Sequence, residues 1–383
     1  MAVADLATDL MDLQANRLTG LGFAHLPDDE SSARFEAAFP YEDTPDQSQS
    51  WEEIRNDMES STPMDRVLVG DVGFGKTEIA VRAAYKTVLG GKQVAILVPT
   101  TILAEQHYDT FAGRMAEEPL SLAVLSRFST AKQQRAVLDD LKDRRVDIVI
   151  GTHRLLSQDV QFADLGLLIV DEEHRFGVLH KELLKRLRAT VDVLTLSATP
   201  IPRTLHMAMS GLRDISSIRT PPPGRKSVIT QVGYDDDATL KRAVLHEVHR
   251  GGQMFVLHNR VATIDQMLDR VSRLCPAVRA AIAHGQMAPQ ELRQTVEAFA
   301  RGQLDVLVCT TIIESGVDIP RANTILVTNA DRFGLADLHQ LRGRVGREHN
   351  QAYAYFTVPE NQPLSENSQR RLKAIQEFRS LGS

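Results

Sequence analysis

The chain has 383 residues, with 44 lysines and arginines, 50 aspartates and glutamates, and two cysteines. This length predicts two or three domains. The apolar runs are too short for a transmembrane helix, and two cysteines cannot form a disulfide framework. The chain start lacks the basic and apolar segments of a signal peptide, so a reducing, cytoplasmic location is expected.

The net charge of −6 is unevenly distributed along the sequence. Residues 1–60 hold 14 acidic and 3 basic side chains, whereas the remainder holds 36 acidic and 41 basic ones. Most of the chain is therefore slightly basic. The total charge neither requires nor excludes a nucleic-acid partner.

The first 38 residues are predicted to be a linker helix followed by a connector. Apolar residues recur at helical spacing over residues 3–18, with acidic residues between them, which predicts one amphipathic helix. The polar run at residues 27–34 is expected to connect that helix to the body of the protein.

Two α/β domains are predicted to follow, over residues 39–219 and 220–360. In each, strand-length apolar runs alternate with amphipathic stretches, which is typical of a parallel sheet with crossover helices. Three consecutive prolines within residues 220–224 separate them, because such a run cannot continue a helix or a central strand. Residues 361–383 are predicted to be a short helical segment. The predicted strands are residues 66–69, 93–99, 122–126, 147–150, 167–170 and 193–196 in the first domain, and 254–258, 278–284, 306–310, 324–327 and 353–358 in the second.

A glycine-rich segment after the first predicted strand predicts a nucleotide site. Residues 70–77, Gly-Asp-Val-Gly-Phe-Gly-Lys-Thr, fit G-x-x-x-x-G-K-[ST], in which backbone N–H groups at a helix N-terminus hold phosphate oxygens. Lys76 is expected to reach the β- and γ-phosphates of ATP, and the Thr77 hydroxyl to hold Mg²⁺. An ordinary glycine-rich turn is the alternative. The predicted nucleotide-binding residues of this segment are Gly70, Asp71, Val72, Gly73, Phe74, Gly75, Lys76 and Thr77.

Two adjacent carboxylates follow the strand predicted at residues 167–170. Asp171 is expected to bind Mg²⁺ and Glu172 to polarise the attacking water. Adjacent like charges are costly unless a cation offsets them, which favours a metal site. A solvated strand end is the alternative.

An arginine-rich segment, Gln-Leu-Arg-Gly-Arg-Val-Gly-Arg, occupies residues 340–347 of the second predicted domain. Gln340, Arg344 and Arg347 are candidate catalytic residues, because guanidinium groups held in place stabilise the charge that develops in phosphoryl transfer. Their position in the second domain predicts that hydrolysis depends on domain closure, as in a motor. A basic, solvated helix face is the alternative.

Together these three motifs resemble those of superfamily 2 helicases and translocases, over residues 39–360. The resemblance implies two RecA-like domains of the P-loop NTPase type that use ATP and Mg²⁺. It implies several further site residues. These are Phe39 and Gln47 for adenine, Gly316 and Asp318 for the nucleotide, Thr100, Thr101, Thr152, His153, Arg154, Thr310 and Thr311 for the DNA backbone, and Ser197 and Thr199 for coupling hydrolysis to movement.

Longer stretches resemble the branch shared by RecG-type branch-migration helicases and transcription-repair-coupling factors. They are residues 171–178, 198–204 and 338–347, and Glu173 with residues 70–78 favours the second group. The resemblance implies sequence-independent contacts with the backbone of double-stranded DNA. It also implies RNA polymerase and UvrA as partners of full-length relatives, with no binding domain for either expected in these 383 residues.

Several functions remain open at this point. The first is a DNA-stimulated ATPase that moves along a duplex, and the second is a RecG-like helicase that unwinds forks. A third is a nucleotide-switched module that closes on DNA or another partner without productive translocation. A phosphotransferase is disfavoured because no lid for a second substrate is visible. The combination of Glu172, Gln340, Arg344 and Arg347 favours hydrolysis, since a pure switch does not need it.

Overall fold

The computed structural model describes residues 22–173, 176–177, 180, 184, 187–198, 213–311, 319–346, 350–360 and 363–377. The chain divides into two compact units, Met1–Pro222 and Pro223–Ser383. The division lies within the proline run that interrupts the alternation of strands and helices. In these described ranges, no helix combines the length and the hydropathy needed to span a bilayer. The amphipathic helix predicted at residues 3–18 lies outside them.

The first unit is built on a parallel sheet. Its described strands are β1 (Asp65–Gly70), β2 (Gln93–Leu97), β3 (Leu122–Leu125), β4 (Ile148–Gly151), β5 (Leu165–Asp171), β6 (Asp192–Ser197) and β7 (Asp214–Ile218). They pair in parallel in the order β3-β4-β2-β5-β6-β1-β7. Every residue of β2 and of β6 is buried, as expected for strands covered on both faces.

Helices of the first unit begin where the local sequence supplies caps. Thr44 and Thr130 each accept a hydrogen bond from the backbone of the glutamine three residues later, whose side chain bonds back to the cap. This reciprocal arrangement satisfies backbone donors that a helix start leaves unpaired. The described helices are α1 (Glu30–Ala37), α2 (Pro45–Met58), α3 (Lys76–Leu89), α4 (Thr101–Arg114) and α5 (Ala131–Lys142), with a 3₁₀ turn at His153–Leu156.

The second unit repeats this architecture. Its described strands are β8 (Ile229–Tyr234), β9 (Gln253–Leu257), β10 (Ala280–Ala283), β11 (Val306–Cys309), β12 (Ala322–Val327) and β13 (Tyr353–Val358). They pair in parallel in the order β10-β11-β9-β12-β13-β8. The described helices are α6 (Asp237–His249), α7 (Ile264–Leu274), α8 (Pro289–Ala300), α9 (Leu335–Arg342) and α10 (Glu366–Glu377). The prediction of two tandem parallel-sheet domains is confirmed.

Two strands were missed by the sequence pattern. They are β7 and β8, which flank the proline run and form one edge of each sheet. The sequence of β7 is Asp-Ile-Ser-Ser-Ile, and most of β8 is exposed or half-buried. Polar residues interrupt both strands, so they lack the continuous apolar run by which the others, including edge strands β3 and β10, were recognised.

The polar connector predicted at residues 27–34 is wrong in its second half. Asp29 caps α1, which begins at Glu30. Within this helix Phe35 is only 3% exposed, and its ring stacks on Tyr85 of α3 with the centroids 3.9 Å apart. The Arg114 guanidinium lies 4.1 Å from the same ring centroid. This segment is therefore part of the core of the first unit.

The residues before α1 are also bound to the first unit. The backbone N–H of Gly22 donates to the Ser61 carbonyl at 2.8 Å, and that of His25 donates to the Met58 carbonyl at 2.9 Å. The Lys86 ammonium donates to the Leu26 carbonyl at 2.8 Å. Residues 22–28 thus run along the body of the unit as a hydrogen-bonded strap.

The packing of α1 predicts a stability difference between two nearby substitutions. Phe35→Ala should lower the free energy of unfolding by about 3–5 kcal/mol, because it leaves a cavity beside Tyr85. Leu26→Ala should cost less than about 1 kcal/mol, because Leu26 is 76% exposed. Trp51, the one tryptophan, bonds to Glu36 of α1 at 2.7 Å, so its fluorescence in a urea titration reports on this unit. Equal midpoints for the two variants would contradict the assignment of α1 to the core.

Candidate active site

The parallel sheet of the first unit brings three predicted segments to its C-terminal edge, the edge at which its strands end. Strands β5, β6 and β1 are neighbours in that order, and they end at Asp171, Ser197 and Gly70 respectively. Because parallel strands point the same way, the residues that follow them lie at the same edge of the sheet. The glycine-rich loop, the acidic pair and the Ser197 segment are thus adjacent.

The glycine-rich loop has the backbone expected of a phosphate cradle. Gly75 has φ +83° and immediately precedes α3, so the N-terminus of that helix opens onto the loop. The Lys76 ammonium folds back over the loop and donates to the backbone carbonyls of Gly70 and Asp71. Phe74 is fully buried and anchors the loop in the core of the unit. Backbone N–H groups at such a helix start fit phosphate oxygens, so the loop can hold a nucleotide.

The two residues predicted to read adenine have different surroundings. Gln47 is buried on α2, where its side-chain nitrogen donates to the Phe74 carbonyl at 2.9 Å and its oxygen accepts from the Thr44 backbone at 2.7 Å. Phe39 instead faces two guanidinium groups, those of Arg82 and Arg114, at 5.4 and 5.8 Å from its ring centroid. Gln47 therefore braces the loop directly, whereas Phe39 packs beside α3 and α4.

The acidic pair is held by neighbours that the sequence did not indicate. One oxygen of Asp171 lies 3.1 Å from the Nε2 atom of His107 on α4. Glu172 is 6% exposed and adopts a left-handed backbone conformation, with φ +52°. Its backbone N–H donates to the Leu196 carbonyl at 3.0 Å, and its carboxylate accepts from the Ala198 N–H at 3.3 Å. Glu172 is thereby tied to the end of β6.

The oxygen ligands at this edge suit magnesium. The Asp171 carboxylate and the Thr77 hydroxyl are the hard donors that Mg²⁺ prefers, and Mg²⁺ usually takes few protein ligands. Among the described residues, no group of three or more His, Cys, Asp or Glu side chains forms a dedicated metal cage. The donor set fits a magnesium ion carried with a nucleotide.

Glu173 belongs to an ionic cluster next to this edge, in which Asp65, Arg188 and Arg213 are buried and Glu173 is half-buried. Its two carboxylate oxygens accept from Arg188 at 2.7 Å and from Arg213 at 2.9 Å. Arg213 also donates to Asp65 at 2.9 Å and to the Thr195 hydroxyl at 2.7 Å. Burial alone would raise the pKa of the Glu173 carboxyl, but the two guanidinium groups outweigh it and hold that pKa at about 2. Sequence spacing gave no signal for this cluster, because its members come from four distant segments.

The residues predicted to contact DNA differ in their exposure. In the first unit Thr100 is half-buried and His153 is exposed, whereas Thr101 and Thr152 are buried. Arg154 forms a two-point ion pair with Asp159, at 2.7 and 2.6 Å. In the second unit Thr310 and Thr311 follow β11 and are half-buried. All of these residues follow the C-terminal ends of strands.

The arginine-rich segment lies on and just after α9 in the second unit. Gln340 and Arg344 are both buried. Arg342 donates to His339 at 3.1 Å and makes a longer contact of 3.5 Å with the Ile375 carbonyl of α10. The Arg342 guanidinium is therefore held in place within the unit. The predicted site residues Thr199, Gly316, Asp318 and Arg347 lie outside the described ranges.

Comparison with known proteins identifies helicase sequences over both units. Residues 44–208 match the DEAD/DEAH box helicase model, and residues 237–349 match the helicase conserved C-terminal domain. The whole chain is 54% identical to a transcription-repair-coupling factor of Bacillus subtilis and 51% identical to that of Haemophilus influenzae. It covers 32% and 33% of these two proteins, so it spans about a third of their length.

Two solved structures are similar to this chain over more than nine tenths of its length. RecG bound to a three-way DNA junction is 35% identical, with a TM-score of 0.77, over 97% of this chain and 51% of that one. The helicase Lhr of Mycobacterium smegmatis, bound to single-stranded DNA and AMP-PNP, has a TM-score of 0.69 over 91% of this chain and 50% of that one. At 18% identity the second match supports the fold alone.

Two glycine substitutions in the first unit, one in the glycine-rich loop and one in α4, should have opposite effects. Gly75→Ala should lower the stability of the first unit by about 1 kcal/mol or more and weaken ATP binding, because Gly75 has a positive φ and an added Cβ would collide with the Gln47 amide. Gly113→Ala, inside α4 with no atom within 4 Å of its added Cβ, should leave ATP binding unchanged and stabilise the helix by up to about 1 kcal/mol. Urea titration and binding of a fluorescent ATP analogue measure both effects. Equal behaviour of the two variants would contradict the described loop geometry.

Proposed function

The chain belongs to the DEAD/DEAH box helicases, in the branch of the transcription-repair-coupling factors, and from that membership we propose that it is a DNA-dependent ATPase motor. In this proposal, ATP hydrolysis drives movement along double-stranded DNA. The observation that supports it best is the shared edge of the first sheet, where the phosphate loop, the Asp171–Glu172 pair and the Ser197 segment are adjacent.

Nucleotide binding is proposed to use the glycine-rich loop and its flanks. Lys76 exchanges the carbonyls of Gly70 and Asp71 for the β- and γ-phosphates of ATP, while the N–H groups at the start of α3 bind phosphate oxygens. Thr77 and Asp171 would hold Mg²⁺, which would supply neutralisation of charge on the transferred phosphate. The remaining loop residues Val72, Gly73, Phe74 and Gly75 shape the cradle. Gln47 and Phe39 are proposed to position the adenine, and Gly316 and Asp318 to approach the nucleotide.

Hydrolysis is proposed to depend on Glu172. Its carboxylate orients and polarises the attacking water, as a carboxylate does in other phosphoryl-transfer sites. The hydrogen bond from Ala198 to that carboxylate supports a role for Ser197 and Thr199 in coupling. A movement of the Glu172 carboxylate would displace Ala198, which lies between these two residues. Gln340, Arg344 and Arg347 are proposed to stabilise the charge that develops during the reaction.

DNA binding is proposed to occur through backbone contacts without base readout. Hydroxyl groups, backbone N–H groups and helix starts supply many phosphate contacts in protein–DNA complexes. Thr100, His153, Thr310 and Thr311 reach the surface at strand ends and suit this role. The proposed set also includes Thr101, Thr152 and Arg154. Such binding should be sequence-independent and weaken as salt is raised.

The biological setting follows from the relatives as a proposal. We place the chain as the motor of a transcription-repair-coupling factor that acts in the cytoplasm during DNA repair. RNA polymerase and UvrA would be partners of the longer protein through segments other than these 383 residues. The RecG similarity supports a second candidate, a branch-migration helicase. Stronger stimulation of the ATPase by a three-way junction than by a linear duplex would favour that candidate.

The proposed division of labour in the first unit predicts distinct losses. Lys76→Ala should abolish ATP binding, whereas Glu172→Gln should keep binding and lower the hydrolysis rate at least about 100-fold. Phosphate release with and without double-stranded DNA, together with binding of a fluorescent ATP analogue, measures both. Hydrolysis that is absent in the parent chain, or unaffected by Glu172→Gln, would refute the motor proposal.

The arginine segment predicts a loss of hydrolysis without a loss of binding. Arg344→Ala should retain ATP affinity and lower the hydrolysis rate about 10³-fold, because a guanidinium that acts on developing charge contributes little to ground-state binding. The control is Arg301→Ala, which removes a guanidinium that is 69% exposed in the same unit and should change neither quantity. Equal loss of ATP binding and hydrolysis in Arg344→Ala would contradict its assignment.

A further inference from the structure

We propose that Glu173 is a positioning residue for hydrolysis, which sets the place of the Glu172 carboxylate through a buried ionic clasp. The clasp consists of Asp65, Glu173, Arg188 and Arg213. This inference rests on the proposed ATPase function and deepens it. In this proposal Glu173 acts on the reaction through Glu172 and does not touch the nucleotide.

The chain bends at Glu172, and Glu173 anchors the bend. Strand β5 ends at Asp171, and the left-handed conformation of Glu172, with φ +52°, is uncommon for a residue with a side chain. The Glu173 carboxylate then bonds to Arg213, which also bonds to Thr195. Thr195 lies inside β6, two residues before its end, so Glu173 points back along the neighbouring strand. A turn of this kind persists only when the surrounding structure determines it.

Glu172 is constrained on both sides of its strained torsion angle. On its N-terminal side, its own N–H donates to the Leu196 carbonyl. On its C-terminal side, the two oxygens of Glu173 are bound by Arg188 and Arg213, and the Glu173 carbonyl accepts from the Phe176 N–H at 3.1 Å. With both flanks held, the Glu172 side chain is directed to Ala198. Releasing one flank would allow the carboxylate to move away from that position.

The clasp also connects this turn to the strand that leads into the phosphate loop. Arg213 and Arg188 both contact Asp65, the first residue of β1, with Arg213 at 2.8 Å and Arg188 at 3.5 Å. The end of β1 is Gly70, where the loop begins. One buried network therefore fixes β1, β6 and the turn after β5 relative to one another. A displacement of about 1 Å at a reacting group is enough to slow an enzyme considerably.

Glu173→Gln is the substitution that separates positioning from folding. The glutamine keeps the size of the side chain and one oxygen acceptor, but it removes the charge and presents an NH₂ group to a guanidinium. Under the proposal, the hydrolysis rate of the 383-residue chain with double-stranded DNA falls at least about tenfold. The dissociation constant of a fluorescent ATP analogue and the KM for ATP stay within about twofold of the parent values, because Glu173 does not touch the nucleotide.

The matched control is Glu59→Gln in the same unit. Glu59 pairs with buried Lys86 at 2.9 Å, so this variant also removes one carboxylate from a buried cation. It should lower the melting temperature without changing the hydrolysis rate well below that temperature. A double variant adds a further test, because Glu173→Gln should cause no additional loss on top of Glu172→Gln if it acts through that residue.

Each outcome decides the proposal. Parent-like hydrolysis by folded Glu173→Gln overturns it, and so does a parallel loss of ATP binding. If Glu173→Gln does not fold, Arg188→Lys replaces it, since the lysine keeps the charge but not the forked geometry. A slower rate with unchanged ATP affinity in that variant supports the clasp, and an unchanged rate overturns it. A parent chain that hydrolyses no ATP would instead refute the ATPase proposal itself.

Discussion

Parallel pairing of strands is the constraint on which the rest of the structure depends. Because every described strand in a sheet points the same way, the residues that follow the strands are collected along one edge, however far apart they lie in the sequence. The glycine-rich loop, the acidic pair and the Ser197 segment of the first unit meet in this way. The second unit applies the same rule to Thr310 and Thr311. The candidate site residues named here are thus collected where the strands end, and the buried strands fix the positions of those ends.

Two kinds of polar contact stabilise the C-terminal edge of the first unit's sheet. Hydrogen bonds to the backbone of Leu196 and Ala198 tie Glu172 to the end of β6, and an ionic network ties its neighbour Glu173 to Arg188 and Arg213. Two carboxylates and two guanidinium groups make that network close to neutral overall. This balance allows the charges to be buried, because a buried pair is tolerated when its partners are in place and is costly when one is missing.

The sequence predicted the features that depend on local pattern. Central strands such as β2 are continuous apolar runs, and the phosphate loop is a contiguous motif, so both could be located before the structure was known. Strands β7 and β8 could not, because polar residues interrupt their apolar pattern. Helix α1 was missed since its polar residues outnumber the two, Ser32 and Phe35, that it buries. The ion pair between Asp65 and Arg213 joins residues 148 positions apart, and no spacing rule connects such residues.

The buried cluster around Glu173 also constrains how related sequences diverge. Its four charged members come from separate segments, so a change at one position leaves a charge without its counterpart until a second change restores the balance. A single substitution at one of these positions leaves an unbalanced charge and is unfavourable. Replacing one acidic and one basic member together keeps the charges balanced. Across an alignment of homologous motors, positions 65, 173, 188 and 213 are therefore expected to be invariant or to vary jointly. Arg293 and Glu297 form an exposed pair and should vary independently of each other. They therefore serve as the control for that comparison.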